Sequence, residues 1–210
     1  MSTDLKQHRG RPRAVSRNML EESAFELFLE QGYAKTSIED ITRRAGVSRN
    51  TFFNYFDLKS DVFWVEIDRA LGLLPEKLAL TESSLPPAHA IVEAFADCTA
   101  ELGSGFVPWI LTNFEAIGEP NELLSSAFSR FNSTTRVLKG FVSQRLNIPV
   151  DSLECQVIAN TSVSAVAAAA VAWGKAGVSR APLQSYLVHA LAPLAEGYAH
   201  FRAIELPRTI

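Results

Sequence analysis

Residues 36–56 read TSIEDITRRAGVSRNTFFNYF, and this stretch contains two short amphipathic segments with a tight turn between them. Apolar residues recur at helical spacing in both segments: Ile38, Ile41 and Ala45 in the first, Phe52 and Phe56 in the second. The turn is Gly46-Val47-Ser48, in which the glycine suits the end of one helix and the serine suits the start of the next. Two short helices joined by such a turn predict a helix-turn-helix, with an ordinary small helical bundle as the alternative.

Helices are also predicted on both sides of this stretch. One should cover residues 16–31 with Ser16 as its cap, and another should begin near residue 59 and run to about 71. Thr36 or Ser37 can cap the first helix of the quoted stretch, because an acidic residue follows each of them at the capping-box spacing.

The rest of the chain predicts further helices and no strand. After a region broken by proline and serine over 73–87, five helices are expected, over residues 88–102, 108–117, 121–146, 152–176 and 182–203. The fold class is therefore all-α, with about nine helices. We expect a flexible basic arm over residues 1–15, a three-helix helix-turn-helix domain over 16–72 and a C-terminal helical bundle over 73–210.

Charge is distributed unevenly along the chain. The whole protein carries 20 Lys and Arg against 23 Asp and Glu, a net charge of −3, which argues against a generally basic nucleic-acid binder. Residues 1–17 nevertheless hold five basic side chains and one acid, whereas residues 61–210 hold ten basic and fifteen acidic side chains. Because electrostatic fields act over about 10 Å in salt, the basic arm can attract DNA locally.

The second helix of the helix-turn-helix has the side chains of a helix that reads DNA. Its outward positions are polar or aromatic and include no acid: Arg49, Asn50, Thr51, Phe53, Asn54 and Tyr55. Arg can bind guanine and Asn can bind adenine through two hydrogen bonds, while Thr and Tyr can reach phosphates. Ser48 lies at the helix start, where backbone N–H groups attract phosphate. Thr36, Ser37 and Lys59 are further candidate phosphate contacts.

The predicted arm contains Arg11 and Arg13 within the sequence His-Arg-Gly-Arg-Pro-Arg. Pro and Gly keep such a segment thin, so that Arg can enter a narrow minor groove. A disordered basic tail that adds only screened attraction is the alternative.

The sequence lacks the motifs of an enzyme or a metal site. The four histidines are scattered, the two cysteines stand apart, and neither a phosphate-binding loop nor a nucleophile elbow occurs. We therefore expect no catalytic activity, no cofactor and no metal. The most apolar stretch, Val163–Trp173, is about half as long as the roughly 20 residues of a membrane helix, and the charged N-terminus lacks the apolar core of a signal peptide. These features predict a cytoplasmic protein with no membrane partner.

Residues 19–63 resemble the DNA-binding domain of the tetracycline-repressor (TetR) family. The matching motifs are Met-Leu-x-x-Ser-Ala-x-x-Leu-Phe-x-x-x-Gly-Tyr from residue 19, Thr-Ser-Ile-x-Asp-Ile from residue 36, Ala-Gly-Val-Ser-Arg-Asn-Thr-Phe-Phe-Asn-Tyr-Phe from residue 45, and Lys-Ser-Asp-Val from residue 59. The resemblance implies a homodimeric helix-turn-helix repressor that binds double-stranded operator DNA. It also implies a C-terminal helical domain that binds a small-molecule effector and forms the dimer.

The resemblance implies a role for each matching residue. The positions that contact phosphates in the family are Thr36, Ser48, Thr51, Phe53, Tyr55 and Lys59. The positions that read bases are Arg49, Asn50 and Asn54. This chain departs from the family at Phe53, where a tyrosine hydroxyl is usual, and at Tyr55, where histidine is common.

The C-terminal helices are similar to a branch of the family that includes the mycofactocin-type regulators and is associated with acyl-CoA-like ligands. The similarity lies in Trp109-Ile-Leu, in Glu119-Pro-Asn-Glu-Leu and in the alanine-rich helix that ends at Trp173. Candidate effector contacts, each of which can equally be core packing, are Phe95, Trp109, Phe114, Phe128, Phe131 and Trp173. Four cations on one long helix could meet an anionic ligand or merely water: Arg130, Arg136, Lys139 and Arg145.

The last two predicted helices, 152–176 and 182–203, have broad faces of alanine, leucine and valine. Small residues allow close helix approach, so these helices are predicted to pair with their copies in a homodimer, with intramolecular core as the alternative. A dimer would also present two reading helices to a palindromic site.

The sequence therefore predicts a ligand-responsive, dimeric transcriptional repressor. We expect a hydrophobic or acyl-CoA-like small molecule to release it from a palindromic operator. A helical adaptor that binds another protein is the alternative, but it would leave the acid-free reading helix and the basic arm unexplained.

Overall fold

The computed structural model describes residues 13–103, 107–117 and 120–199. These residues form nine α-helices and no strand: α1 (Arg13–Gln31), α2 (Ile38–Ala45), α3 (Arg49–Phe53), α4 (Val65–Leu80), α5 (Pro87–Leu102), α6 (Trp109–Ile117), α7 (Pro120–Leu146), α8 (Leu153–Lys175) and α9 (Leu183–Tyr198). A 3₁₀ helix, Lys59–Trp64, leads into α4. The predicted all-α fold with about nine helices is confirmed.

The chain divides into two compact units. The first unit extends to Val62 and includes Phe114–Leu123, and the second comprises Phe63–Asn113 and the chain from Leu124 onward. The change of unit after Val62 falls before the domain boundary at residue 72 that the sequence suggested.

The caps of α2 and α3 are those of a helix-turn-helix. The Ser37 hydroxyl accepts a hydrogen bond from the Asp40 N–H, and the Asp40 carboxylate accepts one from the Ser37 N–H, which completes a capping box. Gly46 ends α2 at φ 63°, a left-handed conformation that a side chain would strain. Ser48 then caps α3, so the turn expected from the sequence is present.

The start of α1 differs from the sequence expectation. The helix begins at Arg13, which places Ser16 inside the first turn rather than at the cap. The last residues of the predicted 1–15 arm are therefore helical. Residues 1–12 lie outside the described part of the chain.

Helix α4 is longer than the sequence suggested. A break was expected from residue 73, but the helix continues through Pro75 to Leu80. Pro75 is exposed, while Leu74 and Leu78 are 1% and 2% exposed. The free energy gained by burying these two leucines offsets the cost of the helical hydrogen bond that Pro75 removes. The helix therefore continues past the proline.

Each unit has its own apolar core. In the first unit the buried apolar side chains include Leu20, Ala24, Ile41, Phe52 and Phe56. In the second, α4, α5, α7, α8 and α9 contribute to one cluster that includes Leu74, Ile91, Leu138, Cys155, Ile158 and Leu191. Gly174 allows α6 to approach α8 closely, because a Cβ there would lie 2.0 Å from the carbonyl oxygen of Leu111.

Helix α8 is longer than the apolar stretch within it. The stretch Val163–Trp173 looked too short to cross a membrane. The helix that contains it has 23 residues and, by length and composition alone, is long and apolar enough to do so. Buried core helices of soluble proteins can have the same length and apolar composition. Here α8 buries Cys155, Ile158, Val163 and Trp173 in the core of the second unit.

Candidate DNA-binding surface and ligand cavity

Helix α3 is anchored by one aromatic side chain and one hydroxyl cap. Phe52 is fully buried, and its ring centroid lies 5.2 Å from that of Phe56. At the helix start the Ser48 hydroxyl oxygen accepts from the Thr51 N–H at 3.1 Å, and the two hydroxyls lie 2.8 Å apart. These contacts set the rotation of α3, because a buried Phe52 turns its neighbours on the helix outward.

The side chains predicted to read bases are exposed. Arg49, Asn50 and Asn54 are all accessible, and Phe53 is 43% exposed. Thr51 and Tyr55, predicted to contact phosphates, are half-buried, whereas Ser48 is exposed. Seven of the twelve predicted DNA contacts therefore lie on α3 or next to its ends, and five of these seven are exposed.

Arg49 is already paired within the first unit. Its Nη1 lies 2.8 Å from Oε1 of Glu39 on α2, and its guanidinium lies 5.4 Å from the centre of the Phe53 ring. No pattern in the sequence pointed to Glu39 as a partner of Arg49. The pair joins the two helices of the helix-turn-helix and gives the guanidinium a defined direction.

Thr36 does not fit the predicted phosphate contact. Its side chain is 2% exposed, and its hydroxyl donates to the carbonyl of Gly32 at 2.9 Å. Its backbone N–H is also used, since it donates to the carbonyl of Tyr33. Thr36 therefore stabilises the turn between α1 and α2 from inside the unit.

Lys59 is engaged inside the same unit. Its ammonium donates to the carbonyl oxygens of Tyr33 and Thr36, each at 2.8 Å, and lies 3.8 Å from the centre of the Tyr33 ring. At least two of its three N–H donors therefore bind the backbone that precedes α2. This placement makes Lys59 a positioning residue for the start of that helix.

Most of the other cations in the described part of the first unit also face acids. Arg43 pairs with Asp40, and Arg44 makes two hydrogen bonds to Glu30. The hydrogen bonds from Arg44 lower the pKa of Glu30, and the Ser37 hydroxyl lowers that of Asp40. Residues 17–62 hold six basic and eight acidic side chains, so this part of the surface does not carry an excess of positive charge.

The predicted arm contacts lie at or beyond the edge of the described chain. Arg11 is outside the described residues. Arg13 is the first residue of α1, and its side chain is outside what the structure describes.

A cavity of about 240 Å³ lies between α4 and α7 in the second unit. Its apolar lining is Leu71, Leu74 and Val137, and its polar lining is Asp68, Arg130, Ser133 and Thr134, with Gly72 completing it. Arg130 and Asp68 join the two helices through a pair of hydrogen bonds of 2.7 Å each. The Arg130 guanidinium also lies 4.8 Å from the centre of the Trp64 ring.

The aromatic candidates for effector binding whose side chains are described do not line this cavity. Phe95 and Trp173 are buried, and the Trp173 indole N–H donates to the carbonyl of Ala181, so their placement favours core packing. Phe131 packs against the core, whereas Phe128 is 66% exposed. The Phe114 side chain is outside the described part of the chain.

Trp109 instead connects α6 to the start of α4. Its ring stacks on Phe63 with centroids 5.1 Å apart, and its backbone N–H donates to the Glu66 carboxylate at 3.1 Å. Burial raises the pKa of Glu66, although the hydrogen bond from Trp109 opposes this effect. Of the four cations predicted on α7, Lys139 pairs with Asp151, and Arg145 donates to backbone carbonyls that follow α4.

The helix-turn-helix and its exposed, polar second helix place this chain in the class of helix-turn-helix DNA-binding proteins. Residues 21–63 match the model of bacterial regulatory proteins of the tetR family, and residues 85–199 match that of the MftR C-terminal domain. The second match alone spans more than half of the chain. The protein belongs to the tetR family of bacterial transcriptional regulators.

Several known proteins are similar to this chain over a large part of its length. The HTH-type transcriptional repressor ComR of Escherichia coli is 26% identical over 155 residues, which cover 69% of this chain and 74% of that protein. The HTH-type transcriptional activator FasR of Mycolicibacterium smegmatis is 27% identical over 99 residues, 45% of each chain. A solved structure of Thermus thermophilus FadR, a TetR-family repressor in complex with lauroyl-CoA, has a TM-score of 0.54 at 22% identity and covers 92% of this chain and 100% of that one. This last likeness shows the shared fold.

Membership of this family confirms two predictions. The protein is a helix-turn-helix transcriptional regulator, and it is not an enzyme. Dimerisation and the binding of small molecules are typical of the family.

Proposed function

We propose that the protein is a ligand-responsive, dimeric repressor that a small molecule releases from a palindromic operator. The observation that carries this proposal is the accessible helix α3, on which Arg49, Asn50 and Asn54 are exposed while Phe52 anchors the helix. Arg and Asn are the side chains best suited to bidentate contacts with guanine and adenine in the major groove. A regulator of this kind acts on DNA in the cytoplasm.

The proposed DNA contacts fall into two groups. Base contacts come from Arg49, Asn50 and Asn54. Phosphate contacts come from residues at the helix starts and along α3: Ser37, Ser48, Thr51 and Tyr55. Phe53 lies at a position of the same kind but has no hydroxyl, so its contact with DNA is apolar only. Arg11 and Arg13 supply attraction from the N-terminal arm, in or beside the minor groove. Thr36 and Lys59 act indirectly, since their polar groups hold the turn between α1 and α2.

The dimer is proposed to form through helices α8 and α9, within the predicted ranges 152–176 and 182–203. Exposed small and apolar side chains support this surface: Ala167, Ala168, Val171 and Ala172 on α8, and Val188 on α9. Leu191 is buried against its own chain and is therefore unsuited to a test. Ala168→Arg and Val171→Arg should each give a folded monomer in sedimentation velocity, while Val178→Arg, at a fully exposed position outside both helices, should remain a dimer. A folded dimer for both α8 variants would contradict this interface.

We favour repression over activation because the alignment with a known repressor covers more of this chain than the alignment with a known activator. The repressor ComR aligns with 69% of this chain, whereas the activator FasR aligns with 45%. The effector is proposed to be a small hydrophobic molecule, and an acyl-CoA-like effector stays a prediction. A ligand of any kind can release the operator only if it binds the DNA-free state more tightly than the DNA-bound state.

The test of this function begins with the DNA upstream of the protein's own gene. An inverted repeat there, used in gel shifts at graded salt, should bind with an affinity that falls steeply as salt rises. Asn50→Ala should cost about 1–3 kcal/mol at one base position and little at others. An affinity that does not change with salt would contradict the regulator and favour a protein–protein adaptor.

A further inference from the structure

The ion pair beside the α4–α7 cavity has one fixed and one exposed partner. The Arg130 side chain is 17% exposed and its guanidinium is held against the Trp64 ring, while the Asp68 side chain is 44% exposed. Arg130 also donates to the carbonyl of Ser126 on its own helix. Because the cation is held from several sides, the carboxylate is the partner that another anion could replace. An external carboxylate has the geometry for the same pair of hydrogen bonds.

The Thr134 side chain also contributes to the cavity. Thr134 is 6% exposed and is one of the polar lining residues. A threonine hydroxyl can donate a hydrogen bond as well as accept one. The Thr134 hydroxyl is therefore a candidate donor to a ligand oxygen in the cavity.

Gly72 lines the cavity from the interior of α4. A Cβ built at this position would meet no atom within 4 Å, so close packing does not explain the glycine. Glycine is disfavoured in a helix interior relative to alanine. Its presence leaves open the space that a side chain would occupy beside Asp68 and Leu71.

We propose that this cavity binds a small monocarboxylate with an apolar tail. The carboxylate replaces Asp68 on the Arg130 guanidinium and accepts a hydrogen bond from the Thr134 hydroxyl. The tail lies against Leu71, Leu74 and Val137. An engineered cavity of about 150 Å³ holds benzene, so a cavity of about 240 Å³ suits a carboxylic acid of about six carbons.

This site deepens the ligand response and rests on the proposed function. Asp68 belongs to α4, which follows the helix-turn-helix in the chain, and its pairing with Arg130 joins α4 to α7. A carboxylate that takes the place of Asp68 breaks this link. The ligand therefore binds more tightly to the state in which α4 is released from α7. Such a difference in affinity between two states is what a ligand-driven switch requires.

The test is isothermal titration of the full-length protein with hexanoate, and with hexanamide as the uncharged match. Hexanoate should bind, and hexanamide should bind about tenfold more weakly or not at all, because it lacks the charge for Arg130. Arg130→Gln should abolish hexanoate binding, whereas Lys139→Gln, which removes another paired cation of α7, should leave it unchanged. Thr134→Val, which keeps the shape of the side chain and removes its hydroxyl, should weaken hexanoate binding about fivefold.

Two further variants separate a ligand site from a purely structural ion pair. Asp68→Asn should strengthen hexanoate binding, because it removes the competing carboxylate. A purely structural ion pair instead predicts no gain in hexanoate binding and a lower melting temperature. Gly72→Leu should close the site while α4 stays helical by circular dichroism. Gly140→Leu, at a glycine of α7 that is also open and does not line the cavity, is its control.

The proposal is overturned if hexanamide binds as well as hexanoate, if Gly72→Leu binds hexanoate like the wild type, or if no binding is detected. Operator release separates this site from the proposed function. If another small molecule releases the operator from the wild type and from Arg130→Gln and Gly72→Leu alike, the ligand response stands and this site is wrong. If hexanoate binds with the expected variant pattern but never releases the operator, the carboxylate site stands and its proposed role in the switch is wrong.

Discussion

The Arg49 guanidinium on α3 lies 2.8 Å from the Glu39 carboxylate on α2, and both side chains are more than half exposed. An exposed pair of this kind contributes about 0.2–1 kcal/mol, so Arg49 can leave Glu39 when DNA offers a base or a phosphate. Until then Glu39 competes with DNA for the guanidinium. The pair therefore favours a precise contact over indiscriminate attraction to the phosphate backbone.

Glu39→Gln should make binding less selective. Release of Arg49 should tighten binding to random DNA by about two- to fivefold, which corresponds to the strength of an exposed pair, and should tighten operator binding less. Fluorescence anisotropy with operator and with scrambled DNA measures the ratio. Glu22→Gln removes one exposed acid from α1 without affecting Arg49 and is the matched control. Equal effects of the two substitutions on the ratio would show that only net charge matters.

Lys59→Met should lower stability rather than remove a direct phosphate contact. Its ammonium binds the carbonyls of Tyr33 and Thr36, and hydrogen bonds to charged groups are worth about 1.5–3 kcal/mol when buried, less at this half-buried position. Urea denaturation measures the loss, and operator titration at graded salt measures the number of phosphate contacts. A salt slope lowered by about one unit, with unchanged stability, would restore the direct contact that the sequence suggested.

The capping box of α2 predicts a specific dependence on pH. Hydrogen bonds from Ser37 lower the pKa of Asp40 below its ordinary value of 3.8. The stabilisation is therefore present above pH 3.8 and is lost as the pH falls through the lowered pKa of the folded state. In Ser37→Ala the pKa of Asp40, followed by NMR, should rise toward 3.8, and the stability should fall at neutral pH. An unchanged pKa in Ser37→Ala would contradict this account.

Cys98 should resist alkylation in the folded protein. Burial raises the pKa of its thiol to about 11, and the side chain is 3% exposed. Because the thiolate is the reactive form, iodoacetamide at pH 8 should modify the native protein only as fast as it unfolds. Mass spectrometry over time, with urea-unfolded protein as the reference, measures this rate. Modification of native Cys98 at the rate of the unfolded chain would show that this part of the core opens readily.

Local signals in the sequence predicted a helix end correctly where the residues that determine it are neighbours in the chain. Ser37, Ser48 and Gly46 act within one turn of the residues they cap, so spacing alone predicted the helix-turn-helix. The same reasoning was wrong at Ser16 and near Pro75, where both helices are longer than predicted. At Pro75 the outcome depended on the burial of Leu74 and Leu78, which no local rule supplies.

The accessible side of the reading helix was also predictable. Once Phe52 points inward, the helical period places Arg49, Asn50 and Asn54 outside, as the structure confirms. Pairing across elements was not predictable. Glu39 and Arg49 are on different helices, and Asp68 and Arg130 lie far apart in the chain, so only helix packing brings each pair within hydrogen-bond distance.

The sequence by itself determined the all-α class, the helix-turn-helix and the residues that α3 exposes, because helical periodicity and end caps depend on residues only a few positions apart. The tertiary structure alone decided what the polar groups do. It turned Thr36 and Lys59 inward, restrained Arg49 with Glu39 and opened a cavity beside Arg130. The physical reason is that hydrogen bonds and ion pairs act over about 3 Å, and the packing of distant segments sets which groups come that close.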